Sequence, residues 1–452
     1  KKWAISIDLI GSILSFGIAF RMNQSLSTQQ STGFVVLSIS MITFLILLIN
    51  VSFKIIIFHD LIYSVNSIIC PIITGLYLLA LRYCTFQEQR HLLNLSLITL
   101  YLFCIGIYIL VNLPAAEYMH DNHVYQIIFE DIPKKFFATT LSFALSFYVP
   151  HLLFCHQDHD FSSAPKQNLF LTVLGGLSFF CMDFYFLFAN PNAHSFKHIF
   201  IDSLMIAAIL LLLMAVIYLA FYIGDKREQS KMITAAKVNT AFPIFHYLLC
   251  FALTIMLMCL ACEYRLVAFN DTILAASCIF FPLTMIISTL FNELWGYKAN
   301  IKLVIVLIAA QFIFDTSLMG LAALPSPDFF NLNPFYNYIR PRRLPAASLS
   351  LLVTFLSNAL ILHYLRYAKK HWQLRRSSRM FIANMTASSL LCLVDYSLLF
   401  GGIYSYDQII HLVVNVWQYK LITTLLSLPL MLWLCTLWEK NIPLTLEPEN
   451  TY

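Results

Sequence analysis

Long apolar runs, separated by short polar stretches, dominate this chain. A helix rises about 1.5 Å per residue, so about twenty apolar residues cross a hydrocarbon core of roughly 30 Å. The pattern predicts a first set of six spans at 33–57, 61–82, 93–113, 136–156, 168–190 and 198–224. It predicts a second set at 241–261, 272–291, 300–323, 346–368, 379–401 and 410–437. A shorter run at 3–21 is a candidate span or interfacial segment, with spanning favoured.

Aspartate and proline residues occur at matching positions in the two sets of spans. Three pairs stand 211 residues apart, namely Asp60/Asp271, Pro71/Pro282 and Pro114/Pro325, and Asp183/Asp395 stand 212 apart. Asp60 and Asp271 precede spans, and we interpret both as helix N-caps. Duplicated helical bundles in a membrane are typical of transporters, whose sites form between helices.

These patterns predict an all-α polytopic membrane protein with two six-helix repeats in parallel orientation and a candidate extra N-terminal helix. The predicted parts are an N-terminal segment (1–32), a first, diverged repeat (33–224), a linker (225–240), a second repeat (241–437) and a tail (438–452). We expect the lipid bilayer, and no nucleic acid, among its partners. The sequence leaves homo-oligomerisation open.

Composition supports the membrane assignment, because 60% of residues are hydrophobic and 11% are charged. Without a GxxxxGK[ST] motif, the chain is not expected to be a nucleotide-driven pump. Basic residues concentrate in loops, most densely between 366 and 379, which predicts a cytoplasmic linker and C-terminus in a bacterial inner (plasma) membrane. Cysteines lie mainly in apolar runs, so we expect no disulfide, and neither a metal nor a cofactor.

Charged residues within spans are the candidates for chemistry, since burying charge in a membrane is costly unless it pairs or faces a cavity. Asp315 follows Gln311 by four residues in an apolar span, on one helical face. Lys420 precedes an apolar run and needs a carboxylate partner. Asp395 on the preceding span is the nearest such partner by sequence.

The second repeat resembles the queuosine precursor transporter family, also called the vitamin uptake transporter family. The resemblance rests on Phe281-Pro282, Asn292-Glu293-Leu294-Trp295-Gly296-Tyr297-Lys298, Arg343-Leu344-Pro345-Ala346-Ala347-Ser348, Ser388-Ser389 with Asp395, and Gln418-Tyr419-Lys420 with Pro429. Family members usually carry one six-span unit, so the chain resembles a tandem fusion of two. Thr289 departs from the family pattern, which usually has an aspartate there.

The resemblance implies import of a 7-deazapurine, such as 7-cyano-7-deazaguanine, its aminomethyl form or queuine. It implies substrate binding by Asn292, Glu293, Asp315, Arg343, Asp395, Gln418 and Lys420. The first copy has lost most of this set, with Leu81-Arg82, Cys104 and Ala208 at the positions of Asn292-Glu293, Asp315 and Lys420. We therefore expect one site, in the second repeat, and no enzymatic activity.

Three alternatives stay open at this point. The chain would be the substrate-binding membrane component of an ATPase-powered vitamin uptake system if ATPase subunits co-purified with it. A membrane enzyme acting on a lipid-linked substrate would need acid/base or metal ligands clustered at one membrane face, and the sequence shows no convincing cluster. The third alternative is a sensor or scaffold that has evolved from a transporter and no longer transports. The polar residues retained in the second repeat argue against it.

Overall fold

The computed structural model describes residues 32–84, 86–116, 131–154, 165–188, 196–224, 242–269, 272–328, 343–367 and 374–439, together with Phe129 and Asn331. Within these residues, 11 helices are long and apolar enough to cross a membrane. The prediction of an all-α polytopic membrane protein is confirmed. The candidate segment at 3–21 and most of the linker and tail lie outside the described residues.

The helices and strands follow the order of the predicted spans. The first part holds α1 (Thr32–Val51), β1 (Ile55–Phe58), β2 (Leu61–Ser64), α2 (Asn66–Tyr83), α3 (Phe86–Asn112), α4 (Ile132–Phe143), α5 (Val149–Phe154), α6 (Pro165–Phe188) and α7 (Phe196–Gly224). A π-helical turn, Ala144–Tyr148, joins α4 to α5. The second part holds α8 (Phe242–Ala261), β3 (Leu266–Phe269), β4 (Thr272–Ala275), α9 (Ser277–Ala322), α10 (Arg343–Tyr367), α11 (Arg376–Phe400) and α12 (Tyr406–Glu439).

Two compact units are present. Unit 1 takes the described residues within 1–108, 124–238 and 316–337, and unit 2 takes those within 109–123, 239–315 and 338–452. Unit 1 therefore includes the end of α9, and unit 2 includes the end of α3. The described part of the predicted second repeat thus lies in unit 2, apart from the end of α9.

Each unit contains a two-stranded antiparallel hairpin that the span pattern did not predict. In unit 1, Ile55 pairs with Ser64, and in unit 2, Leu266 pairs with Ala275. Asp60 lies in the turn of the first hairpin, so its assignment as a helix N-cap is wrong. The strands continue the apolar runs of the adjacent spans, which is why they read as helix. Asp271 lies outside the described residues.

A buried cation in each unit binds the carbonyl end of a helix. In unit 1, the ammonium of Lys54 donates to the carbonyls of Ala322 and Leu324. In unit 2, the guanidinium of Arg265, which is 211 residues after Lys54, donates to the carbonyls of Leu110, Val111 and Leu113. These carbonyls lack partners within their own helix, and a cation there also suits the helix dipole. Burial lowers the pKa of Lys54 to about 8.

The longest helix, α9, joins two predicted spans at Gly296. With 46 residues it is too long for one crossing, and Gly296 adopts φ 84° and ψ 177° within it. This backbone region is essentially restricted to glycine, because a side chain there meets the backbone. Gly296 therefore marks the bend between the predicted spans 272–291 and 300–323.

In unit 2, α11 packs against both α10 and α12, and α12 contacts β4. At one end of the bundle, an apolar cluster joins four helices through Leu290 of α9, Leu362 of α10, Met380 of α11 and Met431 of α12. The cluster holds these helices together at a distance from the cavity described next.

Candidate functional site

A small cavity lies within unit 2. About 30 Å³ of it admits the centre of a water molecule. Its walls are Met256, Cys259, Leu260, Glu263, Ser277, Cys278, Phe281, Ala347, Ser350, Leu351, Leu391, Asp395, Tyr396 and Lys420. Residues three or four apart share a helix face, so each of α8 to α12 presents one face to the cavity. The result is an apolar chamber with a few polar groups, as small-molecule sites usually are.

Lys420 of α12 supplies the positive charge of the cavity. Its side chain is buried, and its Nζ lies 5.3 Å from the ring centroid of Phe281 and 5.8 Å from that of Tyr396. Aromatic faces attract a cation, but they do not replace its hydrogen bonds to water. Within the described residues, the ammonium has no hydrogen-bond partner from the protein, so it retains donors for a ligand.

Asp395 of α11 supplies a carboxylate to the same cavity. The Ser350 hydroxyl, which donates to the Ala346 carbonyl at 2.7 Å, lies close to this carboxylate, and Lys420 acts on the carboxylate electrostatically. The described side chains of Asp395 and Lys420 form no ion pair with each other at 4 Å or less. Opposite charges therefore line one cavity without neutralising each other directly, which leaves both available to a molecule between them.

Glu263, Arg343 and Asp315 form a second group of charges in unit 2. The Arg343 Nε lies 3.3 Å from Glu263 Oε2, and its Nη2 lies 3.2 Å from Asp315 Oδ1. Arg343 Nη2 also donates to the Leu260 carbonyl at 2.6 Å, which anchors the guanidinium at the end of α8. Gln311 donates to Asp315 Oδ2 at 2.7 Å. Because Glu263 also lines the cavity, it connects this group with Asp395 and Lys420.

Sequence reasoning missed Glu263. It lies just beyond the last apolar residue of a predicted span, where a carboxylate is ordinarily solvated, and outside the motifs of the resemblance. Here it is 5% exposed. Burial raises the pKa of Glu263 well above its ordinary value, and Arg343 acts in the opposite direction. A comparison of the repeats would have pointed to this position, because the residue 211 positions earlier, Ser52, is also polar.

Three predicted site residues lie away from the cavity wall. Glu293 binds Arg376 Nε at 3.1 Å, and binds Arg379 through Nε at 2.9 Å and Nη2 at 2.7 Å. Asn292 donates to the Ala359 carbonyl at 3.0 Å, and Gln418 is exposed. Their part in substrate binding stays a prediction, whereas Asp395 and Lys420 share the cavity and Asp315 and Arg343 share the adjoining charge group.

Buried polar side chains continue from the cavity toward Glu293. On α10, the buried Ser350, Thr354 and Asn358 stand four residues apart on one face, and Leu362 of the apolar cluster and the exposed Arg366 follow at the same spacing. Asn384 Oδ1 accepts hydrogen bonds from Thr289 and Asn358, both at 2.8 Å. Polar residues this deep in a membrane bundle either join helices or line a path.

The aspartate at the corresponding place in unit 1 is fully satisfied. Asp183 accepts hydrogen bonds from Asn66 at 2.5 Å and from Thr139 at 2.8 Å. These donors stand 211 residues before Ser277 and Ser350, which line the cavity in unit 2. Ala208 occupies the place of Lys420. Unit 1 therefore keeps the buried carboxylate but lacks the cation.

A polytopic helical bundle with unpaired charges around an internal cavity has the features of a membrane transporter for a small molecule. A family model described as "Putative vitamin uptake transporter" matches residues 275–434. This match covers α9 to α12, which supply most of the cavity wall, and indicates vitamin uptake transport as the class of function. No curated protein and no solved structure matches the chain.

Proposed function

We propose that this protein imports a 7-deazapurine precursor of queuosine, and that the cavity of unit 2 binds it. The observation that carries the proposal is the presence of Asp395 and Lys420 on one cavity wall without an ion pair between them. A ligand with donors on one edge and acceptors on another satisfies both charges at once.

The chemistry of a guanine-like heterocycle fits these groups. Its ring N–H and exocyclic amino group donate in parallel, which suits a carboxylate such as Asp395. Its carbonyl oxygen accepts from the ammonium of Lys420. Phe281 and Tyr396, which flank Lys420, offer ring faces for stacking. In this conformation the cavity holds only a few waters, so flexible walls such as Met256 and Leu391 must turn aside for a bicyclic ring.

The exit is proposed along the buried polar side chains toward Glu293. The ion pairs of Glu293 with Arg376 and Arg379 close this end in the present conformation, and Glu439 adds a pair with Arg376 at 2.6 Å. The high density of basic residues from 366 to 379 supports a cytoplasmic location for this side and for the C-terminus, and the membrane is proposed to be a bacterial inner membrane.

The chain is further proposed to be a tandem fusion of two family units. In support, the two hairpins have the same register 211 residues apart. Lys135 donates to the Ile49 carbonyl and Arg343 to the Leu260 carbonyl, which stands 211 residues after Ile49, although the two cations themselves are 208 residues apart. On this proposal the first unit has become a structural partner.

The test is uptake in cells that neither make queuosine precursors nor have their own importer. Each deazapurine is fed separately, and queuosine in tRNA is measured. The wild-type chain is expected to restore queuosine, Lys420→Met is expected to fail, and Lys302→Met, a lysine outside the cavity, is expected to behave as wild type. No rescue by the wild-type chain, with the protein present in the membrane, contradicts the deazapurine assignment.

A further inference from the structure

Within the described residues, the charges that line the cavity of unit 2 or pair with its lining do not balance. Three of these residues are carboxylates, Glu263, Asp315 and Asp395, and two are cations, Arg343 and Lys420, with Glu263 and Asp315 sharing Arg343. With every group ionised, one negative charge is left over. An uncompensated charge is costly in a membrane interior, so a proton or another cation must accompany it.

One more described cation, Arg265, follows Glu263 on the same linker. Its charge lies at the carbonyl end of α3, where the guanidinium donates to three carbonyls, and it forms no ion pair with Glu263, Asp315 or Asp395. The other described titratable neighbours include the thiols of Cys259, Cys262 and Cys278 and the phenols of Tyr264 and Tyr396, which are neutral near pH 7.

Of the two carboxylates that share Arg343, Glu263 has the weaker support. Asp315 accepts a hydrogen bond from Gln311 at Oδ2. By contrast, Glu263 Oε2 accepts no hydrogen bond, although Arg343 Nε lies 3.3 Å away, because the geometry is unsuitable. A buried carboxylate without donors favours its neutral form. Since Glu263 also faces the cavity, water in the cavity is able to exchange that proton.

We propose that Glu263 binds the proton whose movement drives uptake, so that one proton crosses the membrane with each substrate molecule. This inference rests on the proposed function. The Glu263 carboxylate takes a proton from water when the cavity opens to one side, and the same O–H bond breaks toward water on the other side. No other covalent bond changes.

Infrared spectroscopy of the purified full chain tests the proton site without transport. The wild-type protein at neutral pH is expected to show the carbonyl stretch of a protonated carboxylic acid, which shifts in heavy water. Glu263→Gln is expected to remove this band, and Glu439→Gln, at an exposed ion pair, to retain it. No such band in the wild type, or an unchanged band in Glu263→Gln, overturns the proposal. If Glu263→Gln aggregates, Glu263→Asp must shift the band.

Proteoliposomes then test the coupling. With labelled 7-cyano-7-deazaguanine outside and a pH dye inside, the wild type is expected to acidify the lumen as substrate enters. Glu263→Gln is expected to abolish the acidification and the pH-driven accumulation. Substrate uptake without acidification overturns the coupling but leaves transport standing. No uptake of any deazapurine overturns the proposed function, while the infrared result still decides whether Glu263 binds a proton.

Discussion

At the scale of single residues, the site depends on charges that are buried but not neutralised in pairs. Lys420 is held among aromatic rings and Asp395 beside a hydroxyl, and both face the same cavity. Two buried charges that form a direct ion pair contribute to holding the structure together, whereas two charges kept apart are available to a ligand that binds between them. The unit 1 aspartate, Asp183, illustrates the contrast, because two side-chain donors satisfy it.

Substitution of Lys420 is the most informative change at this scale. Lys420→Met keeps the length and apolar stem of the side chain but removes its charge. A hydrogen bond to a charged group contributes about 1.5–3 kcal/mol, so substrate affinity is expected to fall roughly 10- to 100-fold. Binding to the purified protein, measured by calorimetry, checks this, with Lys302→Met as the control. Unchanged affinity in Lys420→Met would remove Lys420 from the site.

Arg343 is expected to contribute to stability. Arg343→Met leaves Glu263 and Asp315 without their shared cation and removes a hydrogen bond to the Leu260 carbonyl. Removing one partner of a buried pair costs about 3–5 kcal/mol, so the midpoint of thermal unfolding in detergent is expected to drop clearly. Arg343→Lys keeps the positive charge, so its unfolding midpoint should drop less than that of Arg343→Met. Equal unfolding midpoints in Arg343→Met and in the wild type would contradict this role.

At the scale of elements, the long apolar runs predicted the helices well, but they did not predict the four short strands. Strands of four residues extend the runs of α1 and α8, so periodicity does not separate them from helix. The polar pair His59-Asp60 between two apolar stretches was the available signal for a hairpin. A membrane-spanning helix is recognised from the length of its apolar run, whereas a hairpin is recognised only from the two residues of its turn.

The bend in α9 gives a test at this scale. Gly296 has φ 84°, and a Cβ placed there would meet no atom within 4 Å, so the cost of Gly296→Ala is backbone strain alone. That strain is of order 1–3 kcal/mol, and thermal unfolding should detect it. Gly320→Ala is the matched control, because its Cβ also meets nothing within 4 Å and its φ is ordinary. It is expected to be neutral or slightly stabilising. Equal unfolding midpoints for the two variants would argue against a strained bend at Gly296.

At the scale of the whole molecule, the two units are expected to have different tasks. Asp395 and Lys420 were predicted from the sequence because charges inside apolar runs stand out, and both line the cavity. Glu263 was not found, because only the fold buries a residue of an interhelical linker. Glu293 was expected at the substrate, but arginines that are 83 and 86 residues away in the chain bind it. Such long-range partners depend on how the helices pack, which a single sequence does not reveal.

Matched substitutions of the paired aspartates separate the tasks of the units. Asp395→Asn is expected to lower substrate affinity at least tenfold, because the bidentate acceptor is lost. Asp183→Asn is expected to leave affinity unchanged but to lower stability by about 1–3 kcal/mol, because Asn66 and Thr139 donate to different oxygens of Asp183 and an amide has only one oxygen. Affinity and thermal unfolding are measured on the same preparations. Equal losses of affinity in both variants would mean that unit 1 also binds substrate.

The central claim is that the cavity of unit 2 binds a 7-deazapurine. The most direct test is equilibrium binding of labelled 7-cyano-7-deazaguanine, its aminomethyl form and queuine to the purified full chain. Saturable binding of at least one of the three is expected, with one molecule per chain, and with an affinity roughly 10- to 100-fold lower in Lys420→Met but unchanged in Lys302→Met. Unchanged affinity in Lys420→Met, or no binding of any of the three to folded protein, would contradict the proposed site.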